Sequence, residues 1–311
     1  MTTRMGFLLP LFFLLFCLPC QAGAAMKIGI LPASDTLALH VAYDEGLFSK
    51  HGLDVELVPF QSSLEQSAAV RAGALQGWFT DPIAMLVMHE SGVAQHVIAT
   101  LSRSGPEARF FGIAASPASD IFSLEQLKGK EVAISKATII EYMLDSMLQS
   151  KGLERNFVKR LDIKQISVRL QLLMAGKTDA ALLPEPLLSL VLAKGARLIM
   201  DNTGLDVPLV ITALRRDASR PEEVRAFRAA LAEAMDRINA EPEKYRKVML
   251  AKKLLPEEAS PQYRMPRSDP ANTPLPVPTK EELERIAAWM TENKILRKMP
   301  VAWDMVHDDA K

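Results

Sequence analysis

Past residue 24 this chain contains no cysteine; its only two, Cys17 and Cys20, sit inside an apolar leader. Once that leader is removed, no disulfide and no cysteine-based metal site is available. An excess of one charge is missing too. The 37 Lys and Arg are matched by 37 Asp and Glu, so there is no basic footprint for nucleic acid. Histidines number five (His40, His51, His89, His96, His307) and none falls in an H-x-x-x-H or H-E-x-x-H spacing, which leaves no histidine pair for a metal. Neither a G-x-S-x-G elbow nor a G-x-G-x-x-G phosphate loop occurs. The residues point to no catalytic constellation and no cofactor.

Long apolar runs are also scarce. The one present, Phe7–Leu18, follows the basic residue Arg4 and precedes Ala22-Gly23-Ala24. It is too short to span a bilayer and is followed at once by an A-x-A cleavage pattern, which reads as a secretory signal peptide over 1–24. A lipoprotein would use Cys20 as acceptor, but Cys17-Leu18-Pro19 lacks the small residues such a site needs. Cleavage leaves 36 basic against 37 acidic residues. The expected product is a nearly neutral, periplasmic, monomeric protein.

What the chain does have is a repeated α/β pattern. Tyr43 to Pro82 reads as the end of a helix, a strand (LDVELVPF), a helix (SSLEQSAAVRAG) and a strand (GWFT). The alternation in the first strand, the Ser/Glu start of the helix and Gly73 at its end are the local signals. Residues 70–92, VRAGALQGWFTDPIAMLVMHESG, lie over 173–195, LMAGKTDAALLPEPLLSLVLAKG. Each has Ala-Gly, a small apolar strand, an acid beside proline and a Leu/Met-rich helix ending at Gly92 or Gly195. A spacing near one hundred residues suits two similar lobes better than a solenoid. The polar connection SRSGPEARF is a natural crossing. Lobe 1 is therefore expected over 25–104 plus 208–311 and lobe 2 over 105–207, with a ligand in the crevice at the strands' carboxyl ends.

The remaining elements follow from the same signals. LDIKQIS reads as a strand and LDVPLVITALRRD as a strand returning to lobe 1. Residues 220–249 read as one long amphipathic helix with Pro221 near its start and Pro242 near its end. Seven prolines in 256–278 predict an extended wrap. A last helix covers TKEELERIAAWMTENKIL, and Trp303 is the expected anchor of the tail.

Candidate ligand contacts are the loops where strands hand over to helices. Ser34, Asp35 and Thr36 follow the first strand; Ser135, Lys136 and Thr138 precede the helix IIEYMLDSMLQS. Such residues cap a helix or touch a ligand at its N-terminus, and neighbours can divide the two tasks. Thr80 and Asp81 in one repeat, and Glu185 between two prolines in the other, are presented on stiff loops. Asp81 and Glu185 are expected to face one another across the cleft.

Taken together, GLFSKHGLDVELVPF, AGALQGWFTDP, LKGKEVAIS and AGKTDAALLPEP resemble the solute-binding proteins of ABC importers, in the NMT1/THI5-like group. The resemblance implies a two-lobed, periplasmic-binding-protein-like α/β fold of type II. It further implies capture of a small solute between the lobes and delivery to an ABC permease in the inner membrane. The group's contact loops fall here on Ser34 to Thr36, Thr80 and Asp81, Ser135 to Thr138, and Glu185. The chain departs from the pyrimidine synthases of that superfamily, since it lacks their cysteine-rich motif. Near the candidate loops only Lys136 and Arg103 are positive, while Asp35, Asp81 and Glu185 suit a ligand with N–H donors or a cationic group. An exported enzyme on this scaffold, or the ligand-sensing input to a membrane kinase, are the alternatives.

Overall fold

The structure is a computed structural model. It describes residues 25–310 apart from 61, 107, 108, 219, 267–274 and 301, and apart from the side chains of Ala302, Trp303 and Asp309. The leader with its two cysteines and the proposed Trp303 anchor thus lie outside the described residues.

Among the described residues, ten strands form two sheets. The first holds β1 (Met26–Ile30), β2 (Val55–Pro59), β3 (Gly77–Thr80), β4 (Gln95–Arg103) and β10 (Pro208–Arg215). The second holds β5 (Phe111–Ala115), β6 (Glu131–Ile134), β7 (Lys159–Asp162), β8 (Ala180–Pro184) and β9 (Arg197–Asp201). Their spatial orders are β2-β1-β3-β10-β4 and β7-β6-β8-β5-β9. In each sheet three parallel strands adjoin an antiparallel one, which pairs in turn with an edge strand. The two sheets are therefore copies of one topology. In the first the antiparallel strand is supplied late, by the returning β10.

Helices cover the sheets: α1 (Leu37–Asp44), α2 (Leu47–Lys50), α3 (Ser63–Arg71), α4 (Pro82–Glu90), α5 (Ile139–Ser150), α6 (Ile166–Met174), α7 (Leu187–Ala193), α8 (Pro221–Ala240), α9 (Pro242–Ala251) and α10 (Lys280–Glu292). Their termini obey local chemistry. Ser62 caps α3 by accepting from Glu65 N at 3.2 Å. Gly73, just past the end of α3, has φ +75, and a Cβ there would lie 2.8 Å from Arg215 Nη1. Its counterpart after α6, Gly176, has φ +66. Both helices stop where only glycine adopts the left-handed turn without strain.

The core lies between helices and sheets. On α5 the spacing of Ile140, Met143, Leu144, Met147 and Leu148 puts one face fully inside, and truncating Leu144 to alanine would cost about 2–5 kcal/mol. No helix among the described residues is long and apolar enough to cross a membrane.

Two local expectations need correction. The strand read as LDIKQIS lies earlier, at Lys159–Asp162, and Ile166 already begins α6. The apolar residues Ile163 and Ile166 belong to the turn and the helix, and alternation was imitated by their spacing. The long helix of 220–249 is two. The missing amide of Pro242 and its clash with the preceding turn end α8 at Ala240 and start α9. The tail packs through Met305 and Val306, each 1 % exposed, with Val306 bridging to Val97 of β4.

Candidate functional site

Two chain crossings connect the sheets, and they are bonded to one another. Ser104 N donates to Val207 O at 3.0 Å, Val207 N to Ser104 Oγ at 3.0 Å, and Gly204 N to Gly105 O at 3.1 Å. Beside them opens a cavity of about 1190 Å³, walled by the start of α1, the end of β4, both crossings, α8 and the wrap around Tyr263. Pockets of this kind hold small organic ligands.

Asp35 is its central polar group. It stands in a short 3₁₀ turn, Ser34–Thr36, between β1 and α1. Thr36 is tied down locally, its hydroxyl donating to Ala33 O at 2.6 Å. Ser34 reaches across to the other sheet and donates to Glu185 O at 3.5 Å. Burial pushes the Asp35 carboxyl up to about 7; the nearby Ser102 and Ser34 hydroxyls oppose that shift, and the Glu185 charge adds to it. Tyr263 stands in the same cluster, its hydroxyl pushed up by burial and then by Asp35, with Ser34 in hydrogen-bonding reach.

Glu185 is held in place by its surroundings. Arg109 donates to its Oε1 from Nε at 2.8 Å, with Nη2 at 2.7 Å, and Ser189 N donates to Oε2 at 3.1 Å. Both partners of this pair are buried. The same guanidinium donates to Ser189 Oγ at 3.0 Å and to Gln262 O, in the wrap, at 3.1 Å. Arg109 thereby joins β8's loop, α7 and the C-terminal wrap. Burial raises the Glu185 carboxyl's pKa, and Arg109 opposes that shift.

The other candidates are placed differently. Asp81 is the N-cap of α4, its Oδ1 accepting from Ile83 N and Ala84 N, each at 2.9 Å. Burial pushes its carboxyl up to about 6 against those bonds. Thr80 is buried at the end of β3. Thr138 caps α5 by accepting from Ile140 N at 3.2 Å and donates to Ser135 O at 2.7 Å. Ala137, at φ +60, gives its amide to Glu141 Oε2 at 2.7 Å. Lys136 is exposed, and its amide is taken by Asp162 at 3.0 Å. Of the expected residues only Ser34 and Asp35 line the cavity; Glu185 lies beside Ser34 outside it, and Thr36, Thr80, Asp81, Ser135, Lys136 and Thr138 do not line it.

Sequence reasoning missed Thr100, Ser102, Arg109, Phe110 and Tyr263. Thr100 and Ser102 could have been suspected as the hydroxyls in the apolar stretch Val97–Ser102. Tyr263 lies in a proline-rich segment whose sequence carries no periodicity.

With this geometry in view, comparison with known proteins decides the kinship. The NMT1/THI5 like family model matches residues 33–245. The chain belongs to that family. A protein of Brachyspira hyodysenteriae, whose name places it among ABC transporter periplasmic binding proteins, is 23% identical over 235 residues. The match covers 70% of this chain and 66% of that relative's length. Among solved structures, the aliphatic sulphonate binding protein SsuA of Escherichia coli superposes with a TM-score of 0.78 at 18% identity. That likeness covers 92% of this chain and 93% of the other. SsuA of Xanthomonas axonopodis pv. citri, bound to MOPS, gives 0.76 at 19%, over 92% and 98%. The Candida albicans CA3427 product, described as having the generic periplasmic binding protein fold, gives 0.66 at 12%, over 90% and 94%. At these identities the likeness is one of fold, and the fold is the two-lobed α/β one of periplasmic binding proteins.

Proposed function

We propose that this NMT1/THI5-like protein is the solute-binding component of an ABC importer, exported by the leader at 1–24. It would hold a small organic molecule beside the crossings between its two lobes and hand it unchanged to a membrane permease. The observation that carries this reading is the cavity of about 1190 Å³, with Asp35 inside it and both crossings in its wall. A ligand there touches β4, α8 and both crossings, so its binding energy can act on the crossings and through them on the lobes' relative position.

Within that site, Ser34, Asp35, Thr100, Ser102 and Tyr263 are the proposed ligand contacts. Glu185 acts through Arg109 and the Ser34 bond, by fixing the two loops against one another. Asp81, Thr138 and Glu141 hold the helix starts that shape the cleft. Lobe 1 is proposed over 25–104 plus 208–311, and lobe 2 over 105–207.

Native mass spectrometry of the protein purified from its own periplasm tests the assignment. A small molecule released intact on denaturation, and returned chemically unchanged after prolonged incubation, is the expected result. Its conversion to a product would establish the enzymatic alternative instead.

A further inference from the structure

We infer that the solute taken up here is a small organic cation, a molecule carrying an amine, amidine or guanidine whose nitrogen is received by Asp35, Thr100 and Ser102. This rests on the solute-binding reading above and narrows it. Four observations carry it.

The first is where an anion would have to go. Helix N-termini at the carboxyl ends of strands are the usual hosts for sulfonate or phosphate oxygens. At α4, α5 and α7 they are already occupied, and the uncapped start of α1, which lines the cavity, is preceded by Asp35 itself. Asp81 takes two amides at the start of α4, and Thr138 and Glu141 take those at the start of α5. Glu185 takes the Ser189 amide in α7. An anion would meet a carboxylate at each of them.

The second is the state of the guanidiniums. Arg109 is bound to Glu185 at 2.8 Å. Arg103, in the cavity wall, is held by Asp206 and forked onto Glu282, with Nη2 at 2.9 Å from Oε2. One other arginine, Arg264, lines the cavity; it is exposed, and the exposed acid Asp236 lines the cavity too. Asp35 is left facing the interior with no cation bonded to it.

The third is a pair of hydroxyls. Thr100 and Ser102 line the cavity and are 3 % and 5 % exposed. Neither Oγ has a hydrogen-bond partner of good geometry, although Ser102 stands near the Asp35 carboxyl. Buried hydroxyls are rarely left so, and each has lone pairs to offer an N–H donor. Two acceptors and a carboxylate side by side suit a nitrogen bearing several hydrogens. Asp35, half-buried and with hydroxyls as its only partners, gains a counterion only when such a nitrogen arrives.

The fourth is the rest of the wall. Phe110, Met235, Tyr263 and Met265 supply apolar surface and two aromatic rings. They give the carbon body of the ligand somewhere to lie, so a hydrated inorganic cation is a poor fit.

A competitive pool decides the matter. Equal concentrations of small amines, amidines and guanidines are mixed with alkyl- and arylsulfonates of matched carbon skeleton. The leader-free protein is equilibrated against the mixture by dialysis, and the retained compounds are identified by mass spectrometry. Wild type is expected to retain nitrogen cations, with at least tenfold less retained by a folded Asp35→Asn variant. The Thr100→Val, Ser102→Ala double variant should lose part of that retention. Selective retention of sulfonates would overturn the cation assignment while leaving the solute-binding reading intact. Cations retained equally by wild type and Asp35→Asn would also overturn it. Retention of nothing from either half of the pool would count against the solute-binding reading itself, and against this inference with it.

Discussion

At Asp35 a carboxyl sits where water cannot fully reach it, facing Ser34, Ser102, Glu185 and Tyr263 with no positive neighbour bonded to it. The consequence for stability has a definite sign. Its ordinary value of 3.8 is raised in the fold to about 7, so between those values the native state binds the proton and the unfolded chain has released it. Asp35's contribution is therefore most favourable below about pH 4 and is lost as pH climbs through about 7, a swing of roughly 4 kcal/mol. Asp81 acts in the same direction up to about pH 6. His40 and His89, held below their ordinary value by burial, act oppositely below about pH 6.5. A comparison of variants removes those background groups. Asp35→Asn should stabilise the ligand-free protein at pH 8 and gain far less at pH 5. Melting curves of both proteins at the two pH values measure the difference. An equal shift at both would mean that Asp35 carries no buried charge.

Among the elements, α10 shows how a helix at the end of the chain takes part in the site's frame. Thr279 caps it reciprocally with Glu282, and the same Glu282 carboxylate grips Arg103 at the end of β4. Trp289 donates to Asp145 of α5 at 2.9 Å and meets the Tyr142 ring edge-on at 5.2 Å. One helix thus touches both sheets' layers. Removing Glu282 leaves Arg103 without its forked partner and takes away half of the capping box. Arg103 keeps some access to water, so Glu282→Ala should cost about 2–4 kcal/mol. Urea denaturation at constant m-value would register it, with Glu282→Gln recovering part through the retained cap. A loss under about 0.5 kcal/mol would mean the fork is a surface pair of little weight. This element also marks the boundary of what sequence reveals. Its Thr-x-x-Glu start, the Ser62 cap, the Asp-Pro and Glu-Pro turns and the repeat around Gly73 and Gly176 all speak within a few residues, and all were readable. The pairing of Arg103 with Glu282 spans 179 positions and that of Arg109 with Glu185 spans 76. No local pattern encodes either. Asp35 and Ser34 were legible because a strand-to-helix turn announces them. Thr100 and Ser102 come beside Asp35 only through the folded packing of β4, and Tyr263 only through the folded wrap, so no local pattern joins either to it.

Across the whole molecule, the two sheets share a topology and are joined by crossings bonded to each other at Ser104 and Val207. Other ties also join the layers: Ser34 meets Glu185, Arg109 meets Gln262, Lys194 pairs with Glu258 where α7 packs on the turn at Glu257–Ala259, and Trp289 of α10 meets Asp145 of α5. For the crossings at 104–105 and 204–207 to act as a hinge, those side ties must give way while each sheet stays rigid. A solute in the adjoining cavity would contact β4, α8 and both crossings, and under the proposed hinge only one relative position would complete its bonds. Binding should therefore compact the protein and raise its melting temperature together. At a hundredfold excess over Kd the stabilisation amounts to about 2.7 kcal/mol. Small-angle scattering and thermal melts, run on one sample with and without the solute retained in dialysis, measure the two effects side by side. A higher melting temperature with an unchanged radius of gyration would mean a rigid cavity, and the crossings would then be connections and nothing more.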